Sequence, residues 1–139
     1  MRKLWLILLA LHLPAAAAEC AKHQERAALV EAAGLQSWSQ VHRSFTHYGH
    51  CDDGAIAEGY SESVTVLLAD HWGQLEQLGK LTAREPAFRA FVVRHIDETV
   101  PGERLSRISR HAQSNCPGQH RALCAEILRA STTAGRRNP

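Results

Sequence analysis

The chain has 139 residues, with 16 Lys and Arg against 14 Asp and Glu, and four cysteines. Two of the basic residues, Arg2 and Lys3, open an N-terminal targeting segment. The remainder is near neutral and lacks the excess of positive charge that a general nucleic-acid binder carries. Its longest apolar run, Leu4 to Leu13, is too short for a membrane span of about 20 residues.

That opening segment predicts a signal peptide over residues 1–18. It has a basic start, an apolar stretch and Ala16-Ala17-Ala18 as a small-residue cleavage site. Glu19 stands where lipoprotein processing needs a small residue, which argues against lipid attachment at Cys20. Cleavage after Ala18 removes 18 of the 139 residues and leaves 121, enough for one domain with a small core. An even number of cysteines in an exported chain predicts two disulfides. The expected location is periplasmic or secreted.

Apolar residues recur every three or four positions, and strand-like alternation is scarce. The first helix is predicted from Cys20 to Ala33, with Ala28, Leu29 and Val30 toward the core and Gly34 as its stop. Ser37 and Gln40 form a capping box for the second. Trp38, Val41, Phe45 and Tyr48 make its buried face, which ends near Gly49. The third opens at "CDDGAIAEGYS", where Asp52 or Asp53 caps free amides and suits the positive end of the helix dipole. Ile56, Tyr60, Val64, Leu67 and Leu68 give it an apolar stripe; Ala55, Gly59 and Ser63 give it a line of small residues. Glycine inside a helix costs about 1 kcal/mol relative to alanine, so Gly59 predicts close approach of a neighbouring helix.

Leu75, Leu78 and Leu81 continue the pattern, with a break expected near Gly79. Pro86 suits the first turn of another helix, which carries Phe88, Phe91, Val92, His95 and Ile96. Pro101 starts a further helix with Leu105, Ile108 and Ala112 inward. The last runs from about Gln119 to Ala130 and buries Leu123, Cys124 and Ile127. The expected fold is all-α: a compact bundle of five to seven helices over residues 19–131, stapled by two disulfides. A disordered tail is expected over 132–139.

Cys20, Cys51, Cys116 and Cys124 allow three pairings. A last helix starting at Pro117 would place Cys116 and Cys124 about 10 Å apart, beyond the roughly 7 Å that a disulfide spans. Cys51–Cys116 with Cys20–Cys124 is therefore preferred, both Cys51 and Cys116 preceding helices in short connections. Zinc on these cysteines has little support, since no CxxC occurs.

Two groups of residues offer chemistry. In "HYGHCDD", His47, His50, Asp52 and Asp53 are metal-ligand or acid–base types in a short span. In "RHIDET", His95 falls on the apolar stripe, where a hydrogen bond to a carbonyl or carboxylate is expected. No Ser-His-Asp order, P-loop or dinucleotide glycine pattern is present, and no cofactor is expected. Charge is segregated: Ser44 to Gly79 holds six acids and no Lys or Arg, whereas 100–139 holds seven arginines. These segments are expected to face and partly neutralise each other. Arg104, Arg107 and His111 share a helix face that can also bind phosphate.

With "CDDGAIAEGYSESV", "FVVRHIDETV" and "NCPGQHRALC", nearly the whole mature chain resembles a group of uncharacterised small exported helical proteins of high-GC bacteria. That resemblance implies no activity. In plan, a signal peptide followed by a small cysteine-containing bundle, the chain is also similar to periplasmic type VI secretion immunity proteins. Those block peptidoglycan-cleaving toxins. The expected function is protein binding in the periplasm, as an inhibitor or immunity protein, rather than catalysis. The partner would be an exported toxin or an envelope component, contacted through Asp52, Glu58, Glu62 and Tyr60. The alternative is a metal-binding or hydrolytic protein using His47, His50, Asp52 and Asp53.

Overall fold

The computed structural model describes residues 18–138, so the predicted signal peptide before Ala18 lies outside the described residues. Seven α-helices and three short 3-10 turns follow in order, with no strand among the described residues. They are α1 (Lys22–Ala32), α2 (Trp38–Tyr48), α3 (Gly54–Asp70), α4 (Leu75–Arg84), α5 (Pro86–Arg94), α6 (Gly102–Ser114) and α7 (Arg121–Arg137). The all-α bundle expected from the periodicity is the observed one. None of these helices is long and apolar enough to cross a membrane.

Helix α3 is the central element, packed against α1, α2 and α6. Its stripe of Ile56, Tyr60, Val64, Leu67 and Leu68 is buried as the spacing predicts. Asp53 is its N-cap, accepting from the Gly54 amide at 2.8 Å. Gly54 has φ +52°, a conformation that side-chain-bearing residues rarely adopt. Tyr60 meets Phe91 of α5 edge to face at 4.9 Å, and Phe45 of α2 joins that ring at 4.9 Å. At α2, Ser37 accepts from the Gln40 amide, while the Gln40 side chain reaches the Gln36 amide at 2.7 Å.

The α1–α3 contact bears out the reading of Gly59. A Cβ there would lie 3.0 Å from the Ala32 Cβ and 3.1 Å from the Ala33 nitrogen. Beside it, Ser63 Oγ donates to the Ala32 carbonyl at 2.6 Å and accepts from the Leu35 amide at 3.1 Å. Ser63 thus satisfies groups freed where α1 ends. This contact also corrects the expected inward face of α1. The side that lies on Gly59 is the small one, Ala28 and Ala32, and Leu29 and Val30 are turned outward at 50 % and 82 % exposure.

The expected break at Gly79 does not occur, because α4 runs through it. The missing side chain there makes room for the His120 ring, whose Cε1 would lie 2.2 Å from a Cβ at this position. The expected tail is corrected too. Helix α7 continues past Thr132 to Arg137, since Ser131 and Ala134 are buried and Asn138 Nδ2 donates to the Val100 carbonyl at 2.7 Å.

The cysteine pairing differs from the preferred one. The bonds are Cys20–Cys51 and Cys116–Cys124, and no described cysteine is free. The assumption that failed was a helix starting at Pro117. Pro117 is extended (ψ 137°), Gly118–His120 is a 3-10 turn, and α7 begins only at Arg121. The chain doubles back there, which brings the Cα atoms of Cys116 and Cys124 to 6.1 Å. The other bond pins the start of α1 to the turn that ends α2.

Candidate functional site

The motif "CDDG" places two adjacent acids in opposite settings. The buried, disulfide-bonded Cys51 and the cap at Asp53 fix the chain on either side of Asp52. The Asp52 side chain is turned inward and is only 5 % exposed. Its Oδ2 accepts from Arg94 Nε at 3.1 Å, from Arg94 Nη2, and from His95 Nε2 at 3.1 Å. Both partners come from the C-terminal end of α5. Arg94 also lies over the Phe91 ring at 5.1 Å. The other oxygen, Oδ1, is buried without a protein partner. Burial pushes the Asp52 carboxyl upward. Hydrogen bonds from His95 and Arg94, and their charges, outweigh it and hold the group below its ordinary value.

The network continues through His95. Its Nδ1 lies 3.1 Å from Ser61 Oγ, and Ser61 Oγ lies 2.6 Å from Asp97 Oδ2. Asp97 Oδ1 in turn accepts from the Thr99 amide at 2.8 Å and from the Thr99 hydroxyl. Ser61 has one proton, and it is directed to Asp97. Oγ is therefore left to accept from Nδ1, and Nε2 faces Asp52. The expected carboxylate partner of His95 is Asp52.

Ser61, His95 and Asp52 are the residue types of a hydrolytic triad, but their roles are reversed. A general base must offer a lone pair to the hydroxyl, and here the ring presents N–H to it. Ser61 is 2 % exposed in the interior of α3, where helix bonding occupies the backbone N–H groups that an oxyanion would need. The arrangement fastens α3, α5 and the following connection together. Sequence reasoning singled out His95 and its neighbours but missed Ser61, whose one signal was its place beside the buried stripe.

The structure does not bring His47, His50, Asp52 and Asp53 together as one group. His47 Nδ1 bonds to the Arg43 carbonyl at 2.8 Å, and His50 Nε2 lies 3.2 Å from Gln24 Oε1. Asp52 points inward and Asp53 caps α3. Among the described residues no three His, Cys, Asp or Glu side chains are grouped to hold a metal ion.

Of the expected acidic contact surface, Glu58 and Glu62 are exposed and Tyr60 and Asp52 are turned inward. Tyr60 is fully buried, its hydroxyl 2.9 Å from Ser44 Oγ. Burial, above all, raises its pKa; Ser44 opposes the shift, and the charges of Glu31 and Asp52 with Tyr48 add to it. Asp52 is enclosed. Glu62 accepts from both Arg104 nitrogens, at 2.5 and 3.1 Å. Of the four expected contacts, Glu58 remains exposed with no ion-pair partner among the described residues. Asp70 pairs with Arg107 at 3.1 Å, and Glu76 accepts from Gln119 at 2.7 Å. The acidic and basic segments thus face each other, as their charges predict. On the face read as a phosphate site, Arg104 pairs with Glu62, Arg107 pairs with Asp70, and His111 Nε2 bonds to the Ala69 carbonyl.

What the surface offers instead lies between α1 and α2. A groove of about 600 Å³ is lined by Val30, Leu35, Tyr48, Gln40, Arg43 and His47, among others. Val30 and its neighbour Leu29 are the only exposed large hydrophobic residues among the described ones. No family model matches the chain, and neither a curated protein nor a solved structure matches it.

Proposed function

We propose that this protein is exported and acts in the periplasm by binding another protein, as an inhibitor or immunity protein does. The observation that carries the reading is the α1 edge. Val30 and Leu29 stay in water beside a groove, although every other described large apolar side chain is buried or half-buried. Adjacent exposed aliphatics of this kind mark a contact surface for an apolar side chain of a partner. Two disulfides suit an oxidising compartment, and the N-terminal apolar run supplies the export signal. The similarity in plan to periplasmic immunity proteins points the same way.

The test is capture from the native cells with the mature protein and with Val30→Asp. Wild type is expected to recover one protein in near-equal amount, and the variant about tenfold less, a loss of about 1.4 kcal/mol, with unchanged melting temperature. Equal recovery by both, or a full-length chain retaining Met1 in the cytoplasm, would sink the reading.

A further inference from the structure

We infer that the contact edge on α1 is covered by a second copy of this chain until a partner displaces it, with Val30 of each copy seated in the α1–α2 groove of the other. The inference concerns the regulation of the surface named above. It rests on that reading in one respect, that Val30 and Leu29 form an edge that becomes covered. Partner and second copy compete for one surface, so self-association lowers the apparent affinity for the partner.

A two-fold contact joins the same patch on both subunits, so that patch must carry both members of every pair it makes. A patch that meets a different protein needs only one. The α1–α2 patch carries both, first in shape. Val30 is 82 % exposed and projects from the rim, with Leu29 beside it at 50 %. The groove of about 600 Å³ that Val30 borders is the matching recess, and its apolar lining includes the buried Leu35 and the half-buried Tyr48.

Charge divides in the same way. Gln40 Oε1 accepts from the Gln36 amide at 2.7 Å, and His47 Nδ1 bonds to the Arg43 carbonyl at 2.8 Å. Of the groove's charged lining, that leaves Glu31 and Arg43, one acid and one base. Both are exposed, neither has an ion-pair partner among the described residues, and they do not pair with each other. An acidic occupant would leave Glu31 unmatched, and a basic one Arg43. A second copy matches both: Glu31 of each meets Arg43 of the other, so the pair forms twice while Val30 is enclosed twice. The preceding turn of α1 keeps the balance, since it adds the exposed Glu25 and Arg26. With only two aliphatic side chains from each copy at its centre, the contact is a weak one.

The experiment is sedimentation equilibrium of the purified mature protein between about 1 µM and 1 mM, with no other protein present. Wild type is expected to pass from the mass of one copy to that of two across this range. Val30→Asp should associate about tenfold more weakly at unchanged melting temperature. Glu31→Arg and Arg43→Glu should each weaken association about tenfold, since either swap turns two attractions into two repulsions. The two swaps combined should restore wild-type association. That recovery is specific to an identical copy, because a different protein, unchanged in sequence, would meet both charges reversed. The mass of one copy throughout, equal association by Val30→Asp, or no recovery in the combined variant would overturn the proposal. Because no partner is present, a failure here leaves the capture from native cells standing. Failure of that capture leaves the self-association standing.

Discussion

Asp52 and Gly59 show how single residues in the "CDDGAIAEGYS" motif serve the interior. The carboxyl of Asp52 is held below its ordinary value of 3.8. Its contribution to stability is therefore complete above about pH 4 and is lost as pH falls through the lower folded value. Gly59 gives the clearest local prediction. Alanine there would gain about 1 kcal/mol of helix propensity. Its Cβ, however, would press on Ala32 and on the Ala33 backbone at 3.0–3.1 Å. Overpacking against a fixed backbone costs about 1–3 kcal/mol. Gly59→Ala is expected to lower the melting temperature by a few degrees, read by circular dichroism; an unchanged or higher value would mean that α1 can retreat freely. Close approach at Gly59 was legible because glycine in a helix needs a reason. The partners of Asp52 were not, because Arg94 and His95 lie more than 40 residues away and only the packed fold brings them near.

Helical elements were legible wherever the 3.6-residue period was strong. The faces of α3 and α6 are buried as their spacing predicts, and on α2 Trp38 and Val41 are buried while Phe45 and Tyr48 are half-buried. Helix α1 was misread because large aliphatics usually face inward, whereas this contact selects the smallest side chains. The cysteine pairing was misread because Pro117 is compatible both with a helix start and with an extended turn, and only the second lets the chain double back. The observed pairing makes a quantitative prediction. Cys20–Cys51 closes a span of 31 residues and Cys116–Cys124 one of 8. Loop entropy then assigns about 3.5 kcal/mol to the first and about 2.5 kcal/mol to the second. Double alanine variants, compared by urea unfolding, should differ by about 1 kcal/mol in that order. A reversed order would mean that local strain or packing, and not chain entropy, governs the two bonds.

On the scale of the whole molecule, segregated charge resolves into specific pairs. The sum of charges on each segment foretold that they would meet. It could not foretell that Glu62 would take Arg104 and Asp70 would take Arg107. Most of these pairs are partly exposed and contribute little individually. The enclosed carboxylate of Asp52 is different: breaking a buried ion pair costs about 3–5 kcal/mol, and the half-exposed Arg94 places this pair at the low end of that range. The same accounting separates interior from surface. The conspicuous acids, serine and histidine hold the helices together, while Val30 faces outward.

Urea unfolding of wild type and Asp52→Asn tests this division most directly. The variant is expected to be less stable by about 3 kcal/mol near neutral pH, the low end of the range because Arg94 is half exposed. That gap should narrow below about pH 4, as the wild-type carboxyl takes up its proton. Superimposable curves at neutral pH would contradict the assignment and return Asp52 to the list of residues held for chemistry.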